Sequence, residues 1–119
     1  MRKYTEDHEW LEISDNIATV GITEHATTQL GDLVYVELPN VDDKVSTGDE
    51  VAVIESVKAA GEVLAPCDGR IVEVNTALTD DPEIVSNTPE SDGWLFKIEL
   101  SNPSQTETMM NKESYEQLV

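Results

Sequence analysis

Cysteine, aromatic side chains and positive charge are all scarce in this 119-residue chain. The single cysteine, Cys67, has no partner for an internal disulfide and cannot build a metal cluster, which points to a reducing compartment. Beside Ala65 and Pro66 it reads as a packing residue, not a reactive thiol. Seven basic residues face 25 acidic ones, and a net charge of −18 repels phosphate backbones. No basic stripe offsets that charge, so nucleic-acid binding is not expected. Long apolar runs are missing too. The longest, Leu33-Val34-Tyr35-Val36 and Val51-Ala52-Val53-Ile54, fall far short of the roughly 18 residues that span a bilayer. The opening "MRKYTEDHEW" has basic residues with no apolar stretch behind them, unlike a secretory signal. A bacterial cytoplasm is the favoured location, with an organelle matrix open if a transit peptide has been removed.

Catalytic constellations are absent as well. Ser14, Ser56 and Ser86 lack the Gly-x-Ser-x-Gly setting of a nucleophile elbow. His8 and His25 have no partners at metal-ligand spacing, so local structural roles are expected for both and no metal is. What the chain does have is hydrophobic content of 39%, enough for one folded domain over residues 1–119.

Period-2 patterns dominate the remainder. "NIATVGIT" reads as a strand. Thr23 then caps a short helix over Glu24 to Leu30, which Gly31 ends. "DLVYVELP" is a further strand, stopped by Pro39-Asn40. "DGWLFKIEL" places Trp94, Phe96, Ile98 and Leu100 on one face after an Asp92-Gly93 turn. Asp81-Pro82 opens a helical turn through Val85, and Asn102-Pro103 opens a C-terminal helical segment to about Leu118, with a break near Asn111. Many short strands with regular turns predict a mainly β fold. Its form is a sandwich or flattened barrel of two packed antiparallel sheets, with short helices and a C-terminal helix.

The middle of the chain is the informative part. Two apolar strands, "EVAVIE" (50–55) and "EVLAP" (62–66), flank Lys58, which lies ten residues after Gly48 and eleven before Gly69. Paired, they make a hairpin with Lys58 at or near its tip, and "RIVEVN" supplies a strand anchoring it in a sheet at both ends. The two halves of 44–76 hint at internal pseudo-symmetry. A lysine at a tip can be idle, catalytic or modified. Catalysis needs burial to pull its pKa down from about 10.4, and a tip argues against burial. Covalent modification suits it better. A bare amine among Ala59, Ala60 and Gly61 fits into another enzyme's active site, and amide formation removes its charge.

The segments "GITEHATTQLGDLVYVELP", "ESVKAAGEVLAP", "DGRIVEVN" and "DGWLFKIEL" together resemble the H protein family of the glycine cleavage system. The likeness runs from "HEW" at 8–10 through Leu100 and, more loosely, to "SYEQL". The lysine segment alone would indicate only the biotinyl/lipoyl class; the "HEW" and "GITEHA" blocks narrow it. Biotin carriers usually set their lysine between methionines, whereas here Val57 and Ala59 flank it and Glu55-Ser56 precedes. One departure is Gly61-Glu62, where the family often has a small polar residue and an aspartate.

The resemblance implies a non-catalytic carrier with lipoate in amide linkage on Lys58, in the context of Glu55, Ser56, Val57 and Ala59. It implies that the arm accepts an aminomethyl group from a pyridoxal-phosphate glycine decarboxylase. A tetrahydrofolate-dependent aminomethyltransferase would take the cargo, and a dihydrolipoyl dehydrogenase would reoxidise the arm. A lipoate ligase or a lipoyl/octanoyl transferase would attach the lipoate. It also implies a sheltering cleft bordered by the "HEW" segment. Since the cargo amine is cationic, Glu9 is the first candidate to hold it and Glu62 the second, with His8 beside them. A small monomer suits a carrier that enters several active sites. Two other readings stay open: a lipoyl donor or relay for other lipoyl-dependent complexes, and an unmodified β-sandwich interaction module.

Overall fold

The computed structural model describes residues 1–119. Along the chain run β1 (Arg2–Tyr4), β2 (Glu9–Ser14), β3 (Ile17–Ile22), α1 (Glu24–Leu30), β4 (Leu33–Glu37), β5 (Lys44–Val45), β6 (Glu50–Ser56) and β7 (Ala60–Leu64). Then follow β8 (Gly69–Val74), α2 (Ala77–Asp80), α3 (Glu83–Asn87), β9 (Phe96–Leu100), a 3-10 turn (Pro103–Thr108) and α4 (Lys112–Leu118). All strand pairs are antiparallel, in a six-stranded sheet ordered β1-β2-β3-β9-β8-β5 and a three-stranded sheet ordered β4-β6-β7. The expected architecture of two packed sheets with short helices and a C-terminal helix is therefore present. Neither sheet closes on itself, so the barrel form of that expectation gives way to a sandwich.

Alternation is what buries the faces. Ala18, Val20 and Ile22 of β3, Ile71 of β8, and Phe96, Ile98 and Leu100 of β9 meet Val36, Ala52, Ile54 and Val63 of the small sheet in one core. Leu78 of α2 and Val85 of α3 complete it. Cys67 is fully buried in the same core, as a packing residue should be, and burial pushes its thiol up to about 11. A second, smaller cluster of Tyr4, Trp10 and Tyr115 fixes α4 against β1 and β2. No helix is long and apolar enough to cross a membrane.

The caps explain where the helices stop. Thr23 accepts from the Ala26 N–H at the start of α1, and Gly31 ends it in the left-handed region at φ 82°. The C-terminal segment breaks as expected. Its second half restarts when Asn111 caps the Ser114 N–H at 2.8 Å. Two expectations change. Trp94 does not share the face of Phe96, Ile98 and Leu100. β9 begins only at Phe96; before it Leu95 N–H reaches Val20 O, the Trp94 carbonyl accepts from Asn75 Nδ2, and the indole packs on the smaller cluster. Nor is the lysine hairpin continued by β8 in its own sheet. The chain crosses to the large sheet through buried Ala65, Pro66 and Cys67, held by Gly48 N–H to Ala65 O (2.9 Å) and Ala65 N–H to Asp49 O (2.8 Å).

The two turn glycines serve different ends, which weakens the pseudo-symmetry. Gly48 stands in open space at φ 92°, whereas a Cβ on Gly69 would lie 2.2 Å from the Glu99 carbonyl oxygen and 2.9 Å from Ile98 Cγ1. Gly69→Ala is accordingly expected to cost about 3 kcal/mol by overpacking, and Gly48→Ala about 1 kcal/mol through its backbone angle alone. Urea denaturation of both variants at equal pH measures the difference; equal costs would contradict this assignment.

Candidate functional site

The β6–β7 hairpin projects a two-residue turn. Ser56 N–H donates to Ala59 O at 2.7 Å, leaving Val57 and Lys58 as the central pair. The Ser56 hydroxyl clips the turn a second time, accepting from Ala59 N–H (3.0 Å) and facing Ala59 O (3.1 Å). Ser56 is buried and Val57 is 86% exposed, so the turn is anchored from below and bare on top. Lys58 is exposed and forms no ion pair. Its stem runs past the end of α1: a Cβ on Gly31 would stand 3.4 Å from Lys58 Cε. Glu55 pairs across the sheet with Tyr35 and Ala60 and points outward.

Beside the hairpin lies a cleft of about 190 Å³. Ile54, Gly61, Glu62 and Val63 form its hairpin wall, Ala26, Gln29 and Leu30 its α1 wall, and Ile22 with Asp7 and Glu9 the remainder. Glu9 and Glu62 are thus brought together, with Asp7, which sequence reasoning had not singled out. Nothing in a lone aspartate of the 5–8 loop marks it; only the fold brings it to the cleft's edge. His8 does not join them. It sits at φ 65°, and its Nδ1 meets the Tyr115 hydroxyl at 2.7 Å, while its ring lies 4.7 Å from that of His25. Burial, followed by the neighbouring His25, holds its pKa below the ordinary 6.5. Trp10 belongs to the smaller core cluster and donates its indole N–H to Pro89 O at 2.8 Å.

Glu9 is no ordinary surface acid. It is 3% exposed, and it accepts from Thr5 Oγ1 at 3.1 Å and from Leu64 N–H at 3.1 Å. Burial pushes its carboxyl up to about 7 despite those two donors. Glu62 is exposed, and its carboxyl is raised by a shared hydrogen bond with Glu50 and by that residue's charge. The cleft therefore combines one desolvated carboxyl, poised to ionise near neutrality, with solvated acids at its edge. A cation entering would favour the ionised form of Glu9.

The chain as a whole is similar to known proteins. A family model described as Glycine cleavage H-protein matches residues 2–119. The chain is 52% identical over 117 residues to the glycine cleavage system H protein of Thermotoga maritima, covering 98% of this chain and 94% of that one. With the protein of the same description from Alcanivorax borkumensis, identity is 47% over 114 residues, covering 96% and 89% of the two chains. A crystal structure of a glycine cleavage system H protein from Mycobacterium marinum superposes with a TM-score of 0.88 at 39% identity, over 96% and 92% of the chains.

The buried carboxyl carries a pH signature. Unfolded, Glu9 ionises near 4.5; folded, only near 7. Between those values the unfolded state binds fewer protons, so Glu9 lowers stability as pH rises, by on the order of 3 kcal/mol once both states are ionised. Glu9→Gln keeps an acceptor for Leu64 N–H and loses the titration. Its stability relative to the parent chain is expected to rise steadily from pH 4.5 to 7.5 in denaturant titrations; a flat difference would rule this out.

Proposed function

The chain belongs to the glycine cleavage H-protein family, whose members are lipoyl-bearing carriers, and we propose that its lipoyl group is held in amide linkage on Nζ of Lys58. The carrying observation is the clipped two-residue turn that presents an exposed, unpaired lysine beside an acid-lined cleft. An acylating enzyme must enclose the amine from several sides. Val57, Ala59 and Ala60 are all exposed and small enough to let it. Ser56 holds the turn in one geometry, so little ordering is needed when a partner closes over it.

When bound, lipoate supplies a dithiolane that takes up and gives up an aminomethyl group and cycles between disulfide and dithiol. Glycine decarboxylase, aminomethyltransferase and dihydrolipoyl dehydrogenase are the three partners in this reading, served by a lipoate ligase or a lipoyl/octanoyl transferase. The protein's own residues present, shelter and release. A tether on Lys58 keeps cargo at high effective concentration near each partner. In the cleft Glu9, Asp7 and Glu62 attract the cargo's ammonium, and Glu9, withdrawn from water, pairs with it more strongly than a surface acid could. Gly31 leaves room for the stem of Lys58 to lie against α1. Of the expected cleft residues, His8 has no place in this role.

Incubation with a lipoate ligase, lipoate and ATP is expected to add one lipoyl increment to the intact mass, and Lys58→Arg to abolish it. A folded chain that gains no mass would overturn the assignment. For the cleft, Glu9→Gln is expected to leave lipoylation intact and to shorten the hydrolytic lifetime of the cargo about ten-fold or more, the effect of one lost charge-assisted hydrogen bond. A lifetime equal to that of the parent chain would remove Glu9 from the role.

A further inference from the structure

One hydroxyl joins the two sides of the cleft from behind. Tyr115, 5% exposed in the middle of α4, places its oxygen 2.7 Å from His8 Nδ1 and 2.7 Å from Thr23 Oγ1. His8 separates Asp7 from Glu9, the acids on one side. Thr23 follows Ile22 and caps the helix that supplies the other, through Ala26 N–H at 3.3 Å. The two walls also touch directly through Thr23 N–H to His8 O at 3.0 Å. The Tyr115 ring is fixed independently by stacking on Tyr4, with centroids 4.9 Å apart and planes 12° from parallel. The hydroxyl is therefore delivered to the junction by α4, from more than 90 residues away in sequence.

The donors form a directed chain. One assignment of the protons runs from Thr23 Oγ1, which also accepts from Ala26 N–H, to the Tyr115 oxygen, and from Tyr115 to Nδ1 of a neutral His8 imidazole that carries its own proton on Nε2. This satisfies all three side chains at once. It also gives a reason for His8 to hold a left-handed backbone angle that a non-glycine residue adopts only when its surroundings impose it. That angle sets the direction in which the next residue, Glu9, enters the cleft.

We propose that Tyr115 is a positioning residue: through His8 and Thr23 its hydroxyl fixes the separation of the two cleft walls, so that α4 determines how firmly the cleft holds a cationic cargo. The inference rests on the cleft reading given above. It adds to that reading a residue with no access to the cargo, since Tyr115 lines a different groove, on the opposite side of α1.

The test uses the full chain in two forms. Tyr115→Phe keeps the stack on Tyr4 and removes both hydrogen bonds. His8→Asn, at a position where asparagine tolerates φ 65°, removes only one. On the unmodified chain, amide exchange is expected to quicken at Leu64, the donor to Glu9, in both variants, and at Ala26 only in Tyr115→Phe. Nitrogen NMR is expected to find His8 as the Nε2–H tautomer in the parent and as a mixture in Tyr115→Phe. On the lipoylated, aminomethylated chain, Tyr115→Phe is expected to release cargo about five-fold faster, with the thermal midpoint matched by a control, Met110→Ala, that loosens the packing around Tyr115 without touching the hydroxyl. Unchanged exchange at Leu64 and Ala26, or cargo loss equal to that of the control, overturns the proposal. If Glu9→Gln shortens the lifetime and Tyr115→Phe does not, the clamp falls and the cleft stands. If neither does, the cleft reading falls and takes the clamp with it.

Discussion

The pairing of β6 with β7 is the constraint from which the rest follows. Its ladder runs from Glu50↔Leu64 near the sheet crossing to Glu55↔Ala60 beneath the turn. Ala52, Ile54, Ser56 and Val63 face inward while Glu55 and Glu62 face water. A slip of one residue would reverse every one of those faces, burying glutamates and exposing the core. Register is therefore set by burial, and the position of Lys58 at the turn is set by register. The Ser56 hydroxyl adds a local lock, but the larger restraint is the apolar face behind it.

The same hairpin forms one wall of the cleft, so presentation and shelter cannot be separated in this fold. Glu9 accepts from Leu64 N–H, the last residue of β7, and thereby ties the acid to the hairpin. That tie carries a stability penalty at neutral pH, because a carboxyl withdrawn from water resists ionisation. A fully solvated acid would avoid the penalty and hold a cation weakly. A buried acid without donors would stay neutral and hold none. Thr5 and Leu64 place Glu9 between these extremes, which suits the sheltering and release proposed for the cleft.

What the sequence allowed to be read was whatever depended on local pattern. Thr23 and Gly31 bracket α1 as their chemistry requires, Asn111 breaks and restarts the C-terminal segment, and alternating Ala18, Val20 and Ile22 announce β3. Elements set by distant partners were not legible. β1 and β5 are three and two residues long and exist only because β2 and β8 pair with them. Trp94 continued an alternation that the structure interrupts, because the hydrogen bonds of Leu95 N–H to Val20 O and of Asn75 Nδ2 to Trp94 O decide where β9 begins. The candidate site divided in the same way. Lys58 stood out by its bare surroundings, and Glu9 and Glu62 came from resemblance. Asp7 and Thr5 reach the site through a loop conformation, and Tyr115 supports it from the far end of the chain; neither kind of placement has a local signature.

Exposure alone does not set Lys58 apart from the other basic residues. Of the seven basic residues, Arg2, Arg70 and Lys97 are engaged in ion pairs. Lys3, Lys44 and Lys112 are not, so freedom from a carboxylate does not distinguish Lys58. Shape does. Lys3 lies within β1 opposite Leu11, Lys44 lies within β5 opposite Arg70, and Lys112 begins α4. An enzyme reaching for any of these meets a sheet or a helix side-on. Lys58 alone stands at the end of a two-residue turn, where the chain on both sides falls away. In an acidic molecule, a partner carrying positive charge is drawn toward the surface as a whole. The turn then decides which amine it can enclose.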